Sequence, residues 1–428
     1  MRAVNLPIEA LRHAVASLPE DRLAPVRRAA LEHLGQHGLP TPREEDWKYT
    51  DLGPAVEIGN EWLAGGAVPP EPAGMPAAGR EVLQRIEADW IVIADGRVDA
   101  AALGAFTGAD VQVSLLSESD VPLDFAAPLT DLNSALLRDG LRIGVRRGAV
   151  VERPIGLMIC DTAESAAGMS QVRIEIELEA GSRAEFIEYH ASAGAGRHYA
   201  NTVVNLRLAR DTHASYVRIQ DRDRAHVQTG QLNVRLGSAS AFEHAAFDFG
   251  GRLVRNDLNV GVDAAGASAS LAGLYLVGQD QHADNHVRVD HRVGPARSRQ
   301  DYRGILNGKA RAVWNGKVIV HAGADGTDAD QANHNLLLSK QAEIDAKPEL
   351  EIYADDVKCS HGTTVGELDT ASLYYLRTRG LDEEEARQVL MRAFAQAIVD
   401  RTPVAVTREL LAEKMAGRLA GLLEGMAP

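Results

Sequence analysis

Between residues 90 and 360 apolar and polar positions alternate in short runs. Examples are Val172-Arg173-Ile174-Glu175-Ile176-Glu177-Leu178, Leu232-Asn233-Val234-Arg235-Leu236, Leu258-Asn259-Val260-Gly261-Val262 and His286-Val287-Arg288-Val289-Asp290. Period-two alternation is the pattern of a strand with one buried face. After each run comes a turn signal: Gly181-Ser182, Asp211-Thr212, Gly237-Ser238, Gly266-Ala267 and Gly294-Pro295 recur at intervals close to thirty residues. No long helical pattern lies between the runs, which argues against a βαβ sheet. The spacing predicts a mainly β chain built as a right-handed parallel β-helix, coil stacked on coil. A large β-sandwich is the competing reading of the same alternation.

On both sides the period changes to that of helices. Leu6, Ala10, Leu11, Ala14 and Leu18 form one 3.6-residue stripe, and Leu23, Val26, Ala30, Leu31 and Leu34 form a second that ends at Gly35 and Gly38-Leu39-Pro40. Pro40 to Leu52 mixes charge with Trp47 and Tyr49. It reads either as a docking segment or as a surface loop anchored by its aromatics. Gly65 to Gly79 is rich in Ala, Gly and Pro and reads as a linker or loose excursion. After the β region, Asp369 can cap a helix stopping at Gly380, and Asp382 with Glu385 predicts a capping box. A last stripe runs through Leu410, Leu411, Met415, Leu419 and Leu422. That stripe can cap the solenoid's end or present a groove to another protein. The expected organisation is a helical region with linker over 1–89, a β-helix core over 90–366 and a helical region over 367–428.

The last part of the β region concentrates the candidate chemistry. From Lys347 to Gly362 the chain alternates like a strand, with Leu350, Ile352 and Ala354 on one face, and then meets a turn carrying Ser360-His361-Gly362. If Cys359-Ser360-His361 is extended, Cys359 and His361 share a face. The plain alternative is a small buried cysteine beside a histidine satisfied by backbone groups. Only two cysteines occur, Cys160 and Cys359, with no CxxC. The chain by itself therefore builds neither a disulfide framework nor a four-thiolate zinc or iron-sulfur site.

Composition narrows the classes further. Of the 428 residues 45% are hydrophobic and 25% charged, which suits a globular protein with a sizeable core. Forty-five basic against 60 acidic side chains leave a net charge of -15, which disfavours nucleic acid as a partner. Neither a membrane span nor the apolar centre of a secretory signal is evident, so the expected location is cytoplasmic. His282, His286 and His291, with His321 and the acidic turn Asp325 to Asp330, could hold a metal, but their spacing matches no compact motif. Asp355 and Asp356, adjacent on a strand, would point to opposite faces and make no simple acid/base pair. No GxxxxGK[ST] loop occurs, so no ATP site is expected in this chain.

The run KPELEIYADDVKCSHGTTVG, from Lys347 to Gly366, and its continuation Leu373 to Gly380 closely resemble the C-terminal signature of the SufB/SufD family of iron-sulfur cluster assembly proteins. PTPREEDWKYTDL, from Pro40 to Leu52, resembles that family's N-terminal signature. The order of the motifs and the helical, β-rich, helical organisation extend the resemblance over essentially the whole chain. SufB-like chains carry further cysteines that are lacking here, so the resemblance falls on the SufD side of the family. It implies a β-helix core between helical regions, a non-enzymatic scaffold role, and assembly with SufB and two copies of the ATPase SufC. SufC would dock on the C-terminal helices and SufB on the C-terminal end of the β-helix, and the isolated chain could form a homodimer. His361, and less firmly Cys359, would be ligands in an interface site for iron or a transient iron-sulfur cluster shared with SufB. Two other functions compatible with the solenoid are a polysaccharide-active enzyme, which needs a carboxylate-lined groove, and a purely structural adaptor.

Overall fold

The computed structural model describes residues 5–67, 74–106, 108, 110–120, 122–123, 127–162, 167–193 and 196–424. A β-solenoid of about seven turns spans residues 141–366, with helices before and after it. Each coil gives one strand to each of two sheets, and the strands within a sheet follow at every second position in chain order. Ladders in both sheets are parallel apart from the pairings of Asp89–Ala94 with Arg97–Val98 and of Val111–Leu115 with Leu141–Val145. The sandwich reading is thereby excluded, because its sheets would be antiparallel.

Register explains why the alternation is so regular. Ile143, Ile176, Leu206, Val234, Val260, Val289, Val318 and Leu350 stack in one interior column, each directly across a ladder from the next. All but Leu350 are at most 2% exposed. Burying such a side chain stabilises the fold by roughly 1.5–3 kcal/mol, so coil after coil is held in one register. On the outer face of the same sheet, polar side chains stack instead. Asn233 Nδ2 donates to Asn205 Oδ1 at 2.9 Å, and Asn259 Nδ2 donates to Asn233 Oδ1 at 3.0 Å.

The helices cover the outer faces of the sheets. Ile8–Ala16, Ala24–His37 and Gly53–Ala64 bury Leu11, Leu31, Ile58 and Trp62 together with Tyr199, Val227 and Leu253 of the solenoid. The excursion expected over Gly65 to Gly79 falls partly on residues 68–73, outside the described residues, and its last part opens the helix Ala77–Arg85. At the other terminus, the Asp382–Glu385 capping box starts the helix Glu383–Val399, and Asp369 caps Thr370–Thr378 by accepting from the Ser372 backbone N–H.

The C-terminal apolar stripe does not close the solenoid's end. Leu411, Met415 and Leu419 of Arg408–Glu424 pack with Met391, Ala395 and Ile398 against Tyr189, Val217, Ile219, Phe247 and Leu274 on the outside of a sheet. Asp221 fixes this seat, with Lys414 Nζ at 2.6 Å and an Arg418 nitrogen at 2.7 Å. The last coil is consequently uncapped among the described residues: Glu343–Ile352 and Val357–Gly366 are the final strands of their sheets.

Candidate functional site at the open end of the solenoid

Ser360-His361-Gly362 is the middle of a strand rather than a turn. Val357–Gly366 pairs in parallel with Thr327–Leu337, in a register that sets Cys359 beside Ala329 and His361 beside Gln331. Ala329 and Gln331 are each 1% exposed, and Ala329 belongs to the interior core. Because side chains at i and i+2 share a face, Cys359 and His361 both project to the interior side of the coil. Cys359 is half-buried and packs on that core, whereas His361 is exposed because no further coil among the described residues covers it. Burial pushes the Cys359 thiol up, so it is held as a thiol at neutral pH, against a smaller opposing effect of its hydrogen bond with the Ala329 backbone.

Behind His361 the interior column continues through Gln331, Gln300, Leu271 and His244. Gln331 and Gln300 are each 1% exposed, and neither amide oxygen nor nitrogen has a hydrogen-bond partner. Unpaired buried amides are unusual, since each orphaned group costs about 1–3 kcal/mol. Sequence reading missed this pair. The signal was polar residues at interior positions of alternating runs, which becomes legible only once the inner face is known.

Other candidates are dispersed. His282, Asp284 and His286 share the outer face of His282–His291, but Asp284 is already engaged by Arg255 Nη1 at 2.6 Å, Thr50 Oγ1 at 2.6 Å and His286 Nε2 at 3.1 Å. His291 points inward and meets Ser298 Oγ at 2.8 Å, while His321 lies 3.2 Å from Asp290. These histidines do not converge on one site. Asp355 and Asp356 lie in the connection between the last two strands, not on a strand.

The Pro40 to Leu52 block docks on the solenoid. The Arg255 guanidinium sits 4.0 Å above the Trp47 ring and donates to the Asp46 carbonyl at 2.8 Å, and Lys347 Nζ lies 2.8 Å from Glu45 on the last coil. The docked block thus ties the N-terminal region to the uncapped end. Beside that end, Thr370–Thr378 buries none of its residues and exposes Tyr374 and Tyr375 at 70% and 56%. An open cavity of about 460 Å³ runs alongside, lined by Leu337, Leu338, Leu373, Tyr374, Arg377 and Arg387.

Arranged in this way, the open end offers an imidazole and a thiol on the rim of a lumen, flanked by two strand edges that are unpaired among the described residues. An imidazole and a thiol are a partial ligand set for iron or zinc and need donors from elsewhere to complete it. Among the described residues no helix is long and apolar enough to cross a membrane.

Comparison with known proteins bears on this geometry. Residues 160–394 match the model of the SufBD core domain of the SUF system for FeS cluster assembly. The chain is 30% identical over 410 residues to the iron-sulfur cluster assembly protein SufD of Escherichia coli, covering 94% of each chain. It is 28% identical over 426 residues to a SufBD family iron-sulfur cluster assembly protein of Synechocystis, covering 94% of this chain and 93% of the relative. A chloroplastic protein of Arabidopsis thaliana, ABCI7, is 26% identical over 412 residues, covering 91% of this chain and 84% of the relative.

Proposed function

The chain belongs to the SufBD family of the SUF iron-sulfur cluster assembly system, and from that premise we propose that it is the SufD-like, non-catalytic scaffold subunit of a heteromeric assembly complex. It works in the cytoplasm, a reducing compartment that suits its two free cysteines. The observation that carries the reading is the uncapped last coil bearing Cys359 and His361. Open strand edges are a template for pairing, and a protein that leaves two of them uncovered has a use for them. SufB pairs there. Its donors complete the set begun by His361, with Cys359 as a second ligand, and iron or a nascent cluster is the cargo held between the two subunits.

SufC is assigned to the C-terminal helices. Two exposed tyrosines and the adjacent cavity suit a docking surface, because large aromatics with polar tips are favoured anchors at interfaces. The Glu383–Val399 helix joins that surface to the outside of the sheet through the Arg303 Nη1 bond to the Phe394 carbonyl at 2.8 Å. A push on the helices therefore reaches the coils next to the open end. The test is co-purification with SufB and SufC followed by iron and sulfide analysis. A His361→Ala complex that assembles normally and still yields wild-type cluster would sink the assignment.

A further inference from the structure

The first coils enclose polar side chains along one margin of the interior. Asp161 closes the strand Ile155–Asp161, His198 opens His198–Leu208, and His226 precedes Val227–Leu236. Their exposures are 1%, 0% and 1%. Asp95, 4% exposed, reaches the same place from the turn after Asp89–Ala94. One ligand atom each from Asp95, Asp161 and His198 lie within 4.8 Å of one another. Asp161 Oδ1 is 3.1 Å from His198 Nε2, and Asp161 Oδ2 accepts from Arg222 Nε at 2.6 Å.

A second, independent observation points at a missing partner. His226 Nε2 has no hydrogen-bond partner, and Nδ1 has only the long 3.5 Å contact with Asp161 Oδ2. His198 Nδ1 is likewise unpaired, and the two imidazoles lie nearly parallel with centroids 6.0 Å apart. A buried imidazole with an unbonded nitrogen beside a carboxylate is poorly explained as packing, since buried polar groups are normally hydrogen-bonded.

We propose that Asp95, Asp161, His198 and His226 form a binding site for one first-row divalent cation. Mixed imidazole and carboxylate donors select ions such as Zn²⁺, Fe²⁺ or Mn²⁺, whereas Ca²⁺ and Mg²⁺ favour all-oxygen sets. Arg222 pairs with Asp161, and the charge of Arg97 acts on Asp95. Arg222 then serves as the outer partner that orients Asp161, as ligating carboxylates usually have one. Asp95 also borders a small cavity at the seam between the N-terminal helices and the solenoid. The cavity, of about 30 Å³, room for about one water-sized particle, is lined by Asp95 and Ser170 together with Ser17, Trp62 and Ala67. The ion would tie the Asp95 turn to the strands of the first coils. It sits in the coils farthest from Cys359 and His361, so its role is separate from cargo handling.

The test uses the full-length protein, stripped with chelator and titrated with Co²⁺ alone. One Co²⁺ per chain is expected, with visible d–d absorption, a raised Tm and histidine ring-proton resonances shifted by the paramagnetic ion. His198→Gln and His226→Gln weaken binding at least about tenfold, while His361→Ala and Cys359→Ser retain it. Absence of stoichiometric Co²⁺ in the wild type, or unchanged binding in the His198→Gln/His226→Gln double variant, overturns the proposal. Where the variants fail to fold, the wild-type spectrum decides: bound Co²⁺ that shifts no histidine resonance also overturns it.

Discussion

His361 lies directly across a parallel ladder from Gln331, with one fully buried inside the solenoid and the other exposed at its rim. The difference in exposure arises from a missing next coil, because the two positions are equivalent in register. On that account His361→Ala removes an exposed side chain and leaves stability within roughly 0.5 kcal/mol of wild type. Cluster formation in the SufB–SufC complex is expected to fall by about tenfold or more. Thermal denaturation of the chain and iron and sulfide content of the complex measure the two effects separately.

Val365 is 50% exposed and falls in the same interior-facing set as Cys359 and His361. An inward-pointing charge at a strand edge blocks edge pairing without disturbing the coil it stands on. Val365→Lys is therefore expected to abolish co-purification with SufB while Tm stays near that of the wild type. Undiminished recovery of SufB would show that pairing lies elsewhere.

Arg255 holds three elements at once: Asp284 at 2.6 Å, Asp257 at 2.8 Å and the Trp47 ring at 4.0 Å. Burial favours the neutral carboxyl at Asp284, yet the neighbouring guanidinium prevails and keeps it ionised. Arg255→Met leaves that buried charge uncompensated and should cost about 3–5 kcal/mol. Limited proteolysis within the Pro40 to Leu52 segment should accelerate in parallel, since the same substitution removes its anchor.

Acid should destabilise the protein through its buried imidazoles. Burial, with the Arg218 charge adding to it, holds His244 down to about 3, and burial holds His291 down to about 4. Both are depressed below the ordinary value near 6.5, so below that pH the unfolded chain takes up protons that the folded chain refuses. The stability they preserve is intact above about pH 6.5 and is lost as pH falls toward 4, by roughly 3 kcal/mol per group. Denaturant midpoints at pH 7, 5.5 and 4.5 check this, and His291→Asn should flatten the dependence.

Local chemistry determined a great deal by itself. Alternation identified the strands, the near-thirty-residue spacing identified the coils, and the Asp382–Glu385 box marked a helix start to the residue. Both signature runs reached the family directly. What alternation leaves open is which face turns inward, because here both faces of a sheet are covered: Phe247 is as fully buried under the C-terminal helices as Phe242 is inside the solenoid. Only the closed coil decided that Cys359 and His361 face the lumen, that Asp284 belongs to Arg255 and Thr50, and that the last helical stripe covers a sheet and leaves the end open. Period-two patterning records alternation along one strand. The partners of a side chain lie on the next coil, about thirty residues away, or under a helix that the strand's own sequence does not contain.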